Sequence, residues 1–199
     1  MSPDLPLADC ASKLVRATQS RDAARRPLTF GSGGSGTTAH LGAEVLKQVA
    51  GIDMTHIPYR GTSQAMTDVL AGRVDMMFAP IAVARPHILS GTVRGLAITP
   101  ARRSPLLPQV LTVGEAGLPE AEIEVWIGLF APATTPAPVI TALHDATGRA
   151  LRMPAIRDGF AQEGSDAVFD LTPAEFAGFV DEEIRRWVTV VRRSGAAVE

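Results

Sequence analysis

The chain has 199 residues and a mass of 21.0 kDa, with 46% hydrophobic and 20% charged residues. That length and apolar share bury a real core and exclude a disordered or fibrous chain. With 19 Lys and Arg against 21 Asp and Glu, a net charge of −2 and cations scattered along the sequence, nucleic acid is excluded as the main partner, because phosphate binding needs clustered positive charge.

In chain order, residues 1–27 carry Cys10, the lone cysteine, which makes neither an internal disulfide nor a cysteine-based zinc site. Asp4, Pro6 and Asp9 interrupt any leader-peptide core, so no export signal is expected here, and no apolar run approaches the roughly 18 residues of a membrane helix. Leu14, Val15 and Ala17 fit a helix that Pro27 stops. From Leu28 an alternation begins. Leu28–Gly31 reads as a strand ending in a glycine-rich turn, and residues 37–49 as a helix with Leu41, Val45 and Val49 on one face. Met54–Pro58 reads as a strand; Gly61-Thr62-Ser63 is a turn with a hydroxyl N-cap before the helix of Ala65, Met66, Val69 and Leu70. Val74–Phe78 is the next strand, a helix covers 81–89, and Arg94–Thr99 is a fourth strand. Four strands alternating with three helices predict an α/β fold with a mostly parallel sheet.

The four prolines of the segment Pro100–Pro119 mark a surface excursion in which Thr112 and Glu115 cap a short helix. Ile123–Ala131 reads as a strand, and Thr135 caps a helix with Pro136 at its first position. Thr172-Pro173-Ala174-Glu175 opens a helix with a capping box and an apolar stripe of Phe176, Phe179, Val180, Ile184, Trp187 and Val191. Helices dominate after residue 131, and that part lacks a sheet of its own.

The run Gly31-Ser32-Gly33-Gly34-Ser35-Gly36-Thr37 joins a strand to a helix. Glycines let the backbone approach a ligand closely, and the free N–H groups of a first helical turn favour an anion. Ser35 and Thr37 add hydroxyls, so the turn reads as a small anion cradle; a flexible strand–helix turn with no ligand is the bland alternative. A Walker A loop fails because Thr37 stands where Lys is required. Gly31, Gly33 and Gly36 satisfy G-x-G-x-x-G, which keeps a nucleotide-dependent enzyme as the second hypothesis, but the second strand ends in Pro58-Tyr59-Arg60 without the acidic ribose ligand, and Asp53 lies at its start. There is no G-x-S-x-G elbow, and His40, His56, His87 and His144 show no metal-ligand spacing. His56 reads as a packed histidine. His40, one turn into the helix, is expected to face the ligand, and Asp75 in its apolar strand is expected either in an ion pair or near the site. Trp126 and Trp187 read as core.

The motif Phe30-Gly31-Ser32-Gly33-Gly34-Ser35-Gly36-Thr37-x-x-His40-Leu41 resembles the glycine loop of the tripartite tricarboxylate transporter receptors, the Bug-type periplasmic solute-binding proteins. The match continues in order through Gly51-Ile52-Asp53, His56-Ile57-Pro58-Tyr59-Arg60-Gly61, Leu70-Ala71-Gly72-Arg73-Val74-Asp75, Gly91-Thr92-Val93-Arg94-Gly95-Leu96-Ala97, Pro108–Gly117 and Trp126–Pro132. The resemblance implies a periplasmic-binding-protein-like (type II) two-lobed fold that captures a small carboxylate for transporter membrane subunits, with no cofactor and no catalysis, in the periplasm. It implies that 1–30 is an N-terminal helix and crossover, 31–125 the ligand-binding lobe, and 126–199 the return crossover and helical part of the first lobe. Carried over, Ser32, Gly33, Gly36, Thr37 and His40 line one wall, Tyr59, Arg60, Gly61 and Thr62 form a second loop, and Ala79 borders the pocket. The family's usual leader and its P-G-G-x-x-D loop are not in this sequence, so the N-terminal part of the first lobe is expected to be missing. That gap has two origins open to it, a shortened paralogue with a sensing or interaction role, or coding sequence upstream of Met1. Apolar faces left uncovered by the gap are expected to be covered by self-association, or residues 132–199 to pack differently from the family.

Overall fold

A computed structural model describes residues 27–194; Cys10 and the helix expected around Leu14–Ala17 lie outside the described residues. The elements are β1 (Leu28–Ser32), α1 (Thr38–Ala50), β2 (Met54–Pro58), α2 (Thr62–Leu70), β3 (Met76–Met77), α3 (Ile81–Leu89), a 3-10 turn (Pro119–Ala121), α4 (Ala137–Leu151), α5 (Pro154–Gln162) and α6 (Pro173–Ser194). The chain divides into two compact units after Val125, with Trp126–Thr189 as the second and the end of α6 grouped with the first.

In the first unit the sheet order is β2-β1-β3 and both pairings are parallel, with Phe30 opposite His56 on one side and Met76 on the other. Parallel strands need crossovers, and α1 and α2 supply them. The core gathers Leu28, Phe30, Ala43, Leu46, Ile52 and Met54, with Ala50, Met76, Phe78 and Leu118 against it. The sheet-facing stripe of α1 is therefore Ala43–Leu46–Ala50 rather than Leu41–Val45–Val49. Small Ala43, fully buried, lets the helix sit close to the strands, and a small residue gives little hydrophobic signal in a sequence. A second cluster packs Ile98, with Leu107 and Val110 of the proline-rich excursion, on Ile81 and Ile88 of α3.

Three expected strands shrink or vanish. Val74–Phe78 keeps two ladder residues, because the Thr29 N–H goes to Asp75 Oδ2 (2.9 Å) and the Asp75 N–H to Thr29 Oγ1 (3.2 Å) instead of to ladder partners. Arg94–Thr99 reduces to one parallel bridge, Ile98 with Thr112. Ile123–Ala131 is not in a ladder: beyond the Ile123 N–H to Thr99 O bond (3.1 Å) it has no strand partner among the described residues. The Thr112–Glu115 pair does form its reciprocal bonds (3.0 and 2.9 Å), yet it closes a turn over 113–117 and not a helix.

The second unit is helical. Pro136 is itself the N-cap of α4, one residue later than expected and without a side-chain cap bond. The capping box on α6 is present, with Thr172 N–H to Glu175 Oε2 at 2.8 Å and Glu175 N–H to Thr172 Oγ1 at 3.3 Å. Trp126 meets Phe176 and Phe179 edge-on (5.7 and 5.2 Å), and the half-buried Trp126 and Trp187 indoles both donate to Glu183 Oε2 (3.0 and 3.1 Å), so each indole N–H is satisfied. Phe169 lies against Gly148 of α4, where any side chain would collide with its ring.

Candidate functional site

Because all three strands run parallel, the turns that follow them lie at one edge of the sheet, and each turn feeds a helix N-terminus: α1 after β1, α2 after β2, α3 after β3. β2 and β3 sit on opposite sides of β1, so the chain's direction of winding reverses at β1, the place where open α/β sheets form ligand crevices.

The turn after β1 is held by its own hydroxyls. Gly34 O accepts from Thr37 Oγ1 (2.7 Å) and from Ser32 Oγ (3.0 Å), and Thr37 Oγ1 accepts the His40 N–H (3.4 Å) as the N-cap of α1. Gly34 and Gly36 adopt φ of 139° and 76°, values that side chains resist. The turn after β2 lies directly against it. Tyr59 N–H donates to Ser32 O (3.0 Å), and a methyl group on Gly33 would stand 3.3 Å from Thr62 Oγ1 and 3.4 Å from Thr62 N. Gly33 is thus the point where the glycine turn meets the start of α2. Gly61 caps α2 with no side-chain bond, so the first-turn N–H groups of α2 have no protein acceptor among the described residues.

The candidate residues divide into two kinds. Ser32 is fully buried, its hydroxyl also 2.7 Å from His56 Nε2, so it shapes the turn from beneath. The His40 ring, expected to face the ligand, is turned away from solvent. It is 6% exposed, stacked on His56 with centroids 3.9 Å apart, and its Nδ1 accepts the Gly36 N–H (3.0 Å). Thr37 caps a helix with the oxygen expected to meet a ligand. Tyr59 donates to Asp68 Oδ2 (2.7 Å), which in turn holds Arg73 (2.8 Å). Burial, then the Asp68 bond, raise the Tyr59 phenol above its usual range, while the Tyr59 and Arg73 bonds lower the Asp68 carboxyl. Arg60, Gly61, Thr62 and Gly33 are the residues left open. Arg60 is exposed and has no hydrogen-bond or ion-pair partner among the described residues. Ala79 follows β3 immediately before Pro80, the cap of α3.

His56, which the sequence reads as a packed histidine, is one: its ring contacts Phe30 (4.8 Å) and His40 (3.9 Å), with burial and the neighbouring His40 lowering its pKa to about 4. Its role under the glycine turn was missed, because it depends on the β1–β2 register that sets it opposite Phe30. Asp75 lies at the amino end of β3, at the opposite edge of the sheet from the glycine turn, and binds Thr29. Asp53, just before β2, is at that same far edge, which leaves the G-x-G-x-x-G turn without an acidic partner. Among the described residues no three His, Cys, Asp or Glu side chains gather as a metal site, and no helix is long and apolar enough to cross a membrane.

A family model described as "Tripartite tricarboxylate transporter family receptor" matches residues 4–196. The chain belongs to this family. It is similar, at 36% identity over 193 residues, to the protein of the tcbD–tcbE intergenic region of a Pseudomonas species, an alignment covering 95% of this chain and 57% of that one. Among solved structures, this receptor-family chain superimposes on Rpa4515 of R. palustris with adipate (TM-score 0.79, 29% identity, 94% of this chain and 61% of that one). It also matches MatC of Rhodopseudomonas palustris with bound malate (TM-score 0.76, 32% identity, 90% and 61%). The likeness gives the α/β fold as that of the family's periplasmic binding proteins. The chain spans about three fifths of the length of these relatives.

Proposed function

We propose that this chain captures a small carboxylate for a tripartite-type transporter in the periplasm and performs no chemistry on it. Residues 31–125 are read as the ligand-binding lobe and 126–199 as the return crossover and helical part of the other lobe. The observation that carries the reading is the contact of the glycine turn, which leads into α1, with the start of α2 at Gly33, beside an uncommitted Arg60. Carboxylate oxygens accept from the free N–H groups of the first turn of α2, where the helix dipole favours negative charge, and the Arg60 guanidinium offers a two-pronged match to the same group. The buried Ser32 and His40 side chains and the capping Thr37 hydroxyl hold this surface in shape and do not reach the ligand. Relatives solved with adipate and malate make dicarboxylates the first compounds to try.

Thermal unfolding with acetate, malate, adipate, citrate and, as control, NAD tests the proposal. A ligand bound only by the folded chain, at 100 times its dissociation constant, adds about 2.7 kcal/mol. A carboxylate is expected to shift the transition, and Arg60→Ala to weaken that ligand about tenfold without changing the unliganded transition. Thr37→Val is the less clean variant, since it also removes the α1 cap at a cost of about 1 kcal/mol. A transition that moves with none of the acids overturns the reading, and a shift with NAD alone favours the nucleotide hypothesis.

A further inference from the structure

We propose that His40 is a positioning residue for the carboxylate site: its neutral Nδ1 fixes the Gly36 amide and so keeps the glycine turn in its binding shape, and a proton on that nitrogen loosens the turn and weakens carboxylate binding. The inference deepens the receptor reading and rests on it.

The geometry leaves the ring one workable state. Nδ1 accepts the Gly36 N–H at 3.0 Å, so the proton of the neutral imidazole is on Nε2. Any second proton therefore arrives at Nδ1, where it would set one N–H against another and break the bond that closes the turn onto α1. The ring has nowhere to turn. One face lies on His56 at 3.9 Å and 8°, and the ring is 6% exposed. The two stacked histidines grip two successive points of the same turn, His40 at Gly36 and His56 at Ser32, whose hydroxyl is 2.7 Å from His56 Nε2.

The charged and titratable groups around His40 come from each packed element. Its own helix brings Glu44, whose Oε1 is 3.9 Å from Nε2, and Lys47, which holds that same oxygen at 3.0 Å. β2 brings His56, β1 brings the uncharged Phe30 ring at 6.1 Å, and the 3-10 turn packed on α1 carries Glu120, which is exposed. Burial is the largest influence and lowers the His40 pKa, Glu44 opposes it, and Lys47 lowers it further. The neutral ring therefore prevails near neutral pH and gives way on acidification.

The test uses the whole chain and two readouts. In the first, the Gly36 amide and the His40 imidazole nitrogens are followed by NMR without ligand from about pH 7.5 down to about pH 4. The Gly36 resonance is expected to move with the titration of His40. In the second, malate affinity is measured over the same range for the wild-type chain, His40→Asn, which keeps an acceptor where Nδ1 stands, and His40→Phe, which does not. Because the carboxylates of malate take up protons in the lower part of that range, the quantity read is the ratio of wild-type to His40→Asn affinity at each pH. That ratio is expected to fall about three- to tenfold, one hydrogen bond's worth, and His40→Phe to bind weakly throughout. A Gly36 amide that ignores His40, or a flat ratio, overturns the inference even where malate binds well. A chain in which Gly36 follows His40 but no carboxylate binds at any pH overturns the receptor reading and, with it, the binding half of the inference.

Discussion

His56 shows what a buried imidazole costs a fold in acid. Its pKa of about 4, against an ordinary 6.5, means that the unfolded chain takes up a proton where the folded chain does not. Above about pH 6.5 neither state is charged and the ring is neutral to stability; as the pH falls from 6.5 toward 4 the folded state loses ground progressively. The loss is on the order of 2 kcal/mol, less than the full shift because the ring is partly exposed, and His40, lowered in the same direction, adds to it. Urea midpoints are expected to fall between pH 7 and pH 4.5, and His56→Phe, which preserves the stack on Phe30 and removes the charge, to flatten that dependence. An unchanged slope in the variant would place the acid sensitivity elsewhere. At this scale the sequence was readable where one residue type is needed for a local reason. Gly36 and Thr172 announce a turn and a cap because φ above zero and a hydroxyl at the N-cap are local demands. The His40–His56 stack was not readable, since rings 16 positions apart in sequence meet only once α1 packs on a sheet whose register sets His56 opposite Phe30.

The same contrast governs whole elements. α2 and α3 fall close to where spacing placed them, and the α6 capping box forms as read, because a helix satisfies its hydrogen bonds from its own sequence. A strand is completed by another strand, so Arg94–Thr99 and Ile123–Ala131 carry strand-like residues without becoming strands. α2 also invites a test that separates stability from binding. Its cap is Gly61, at φ 171° and with open space where a side chain would start, so Gly61→Asp supplies the missing cap without strain. That change is expected to raise the unfolding midpoint slightly, by a few tenths of a kcal/mol, and to abolish the carboxylate-induced shift, because a resident carboxylate now occupies the first turn. A variant that is both more stable and fully ligand-responsive would show that the start of α2 is not where the acid sits.

At the scale of the molecule, the least sheltered apolar stretch among the described residues is the link into the second unit: Val125, Ile127, Leu129 and Phe130 are 65%, 94%, 67% and 64% exposed. An extended apolar segment with open backbone groups is a template for pairing with another chain. The purified protein is expected to be larger than a monomer by light scattering, with Ile127→Lys shifting it toward monomer; a monodisperse wild-type monomer would refute the expectation. The family resemblance was legible because its motifs lie on turns that need particular residues. The loss of strands was less so, because ladder partners are a property of the whole assembly of elements.

Optically, the two units carry different dyes. Both tryptophans, Trp126 and Trp187, belong to the second unit and share Glu183, while the only tyrosine, Tyr59, belongs to the first and sits on the turn against Ser32. Indole emission therefore follows the fate of 126–189 alone, and phenol absorbance follows the glycine-turn side. A carboxylate that docks at Gly33 is expected to disturb the tyrosine band, and an unfolding curve recorded at both colours separates into two transitions wherever the units melt independently.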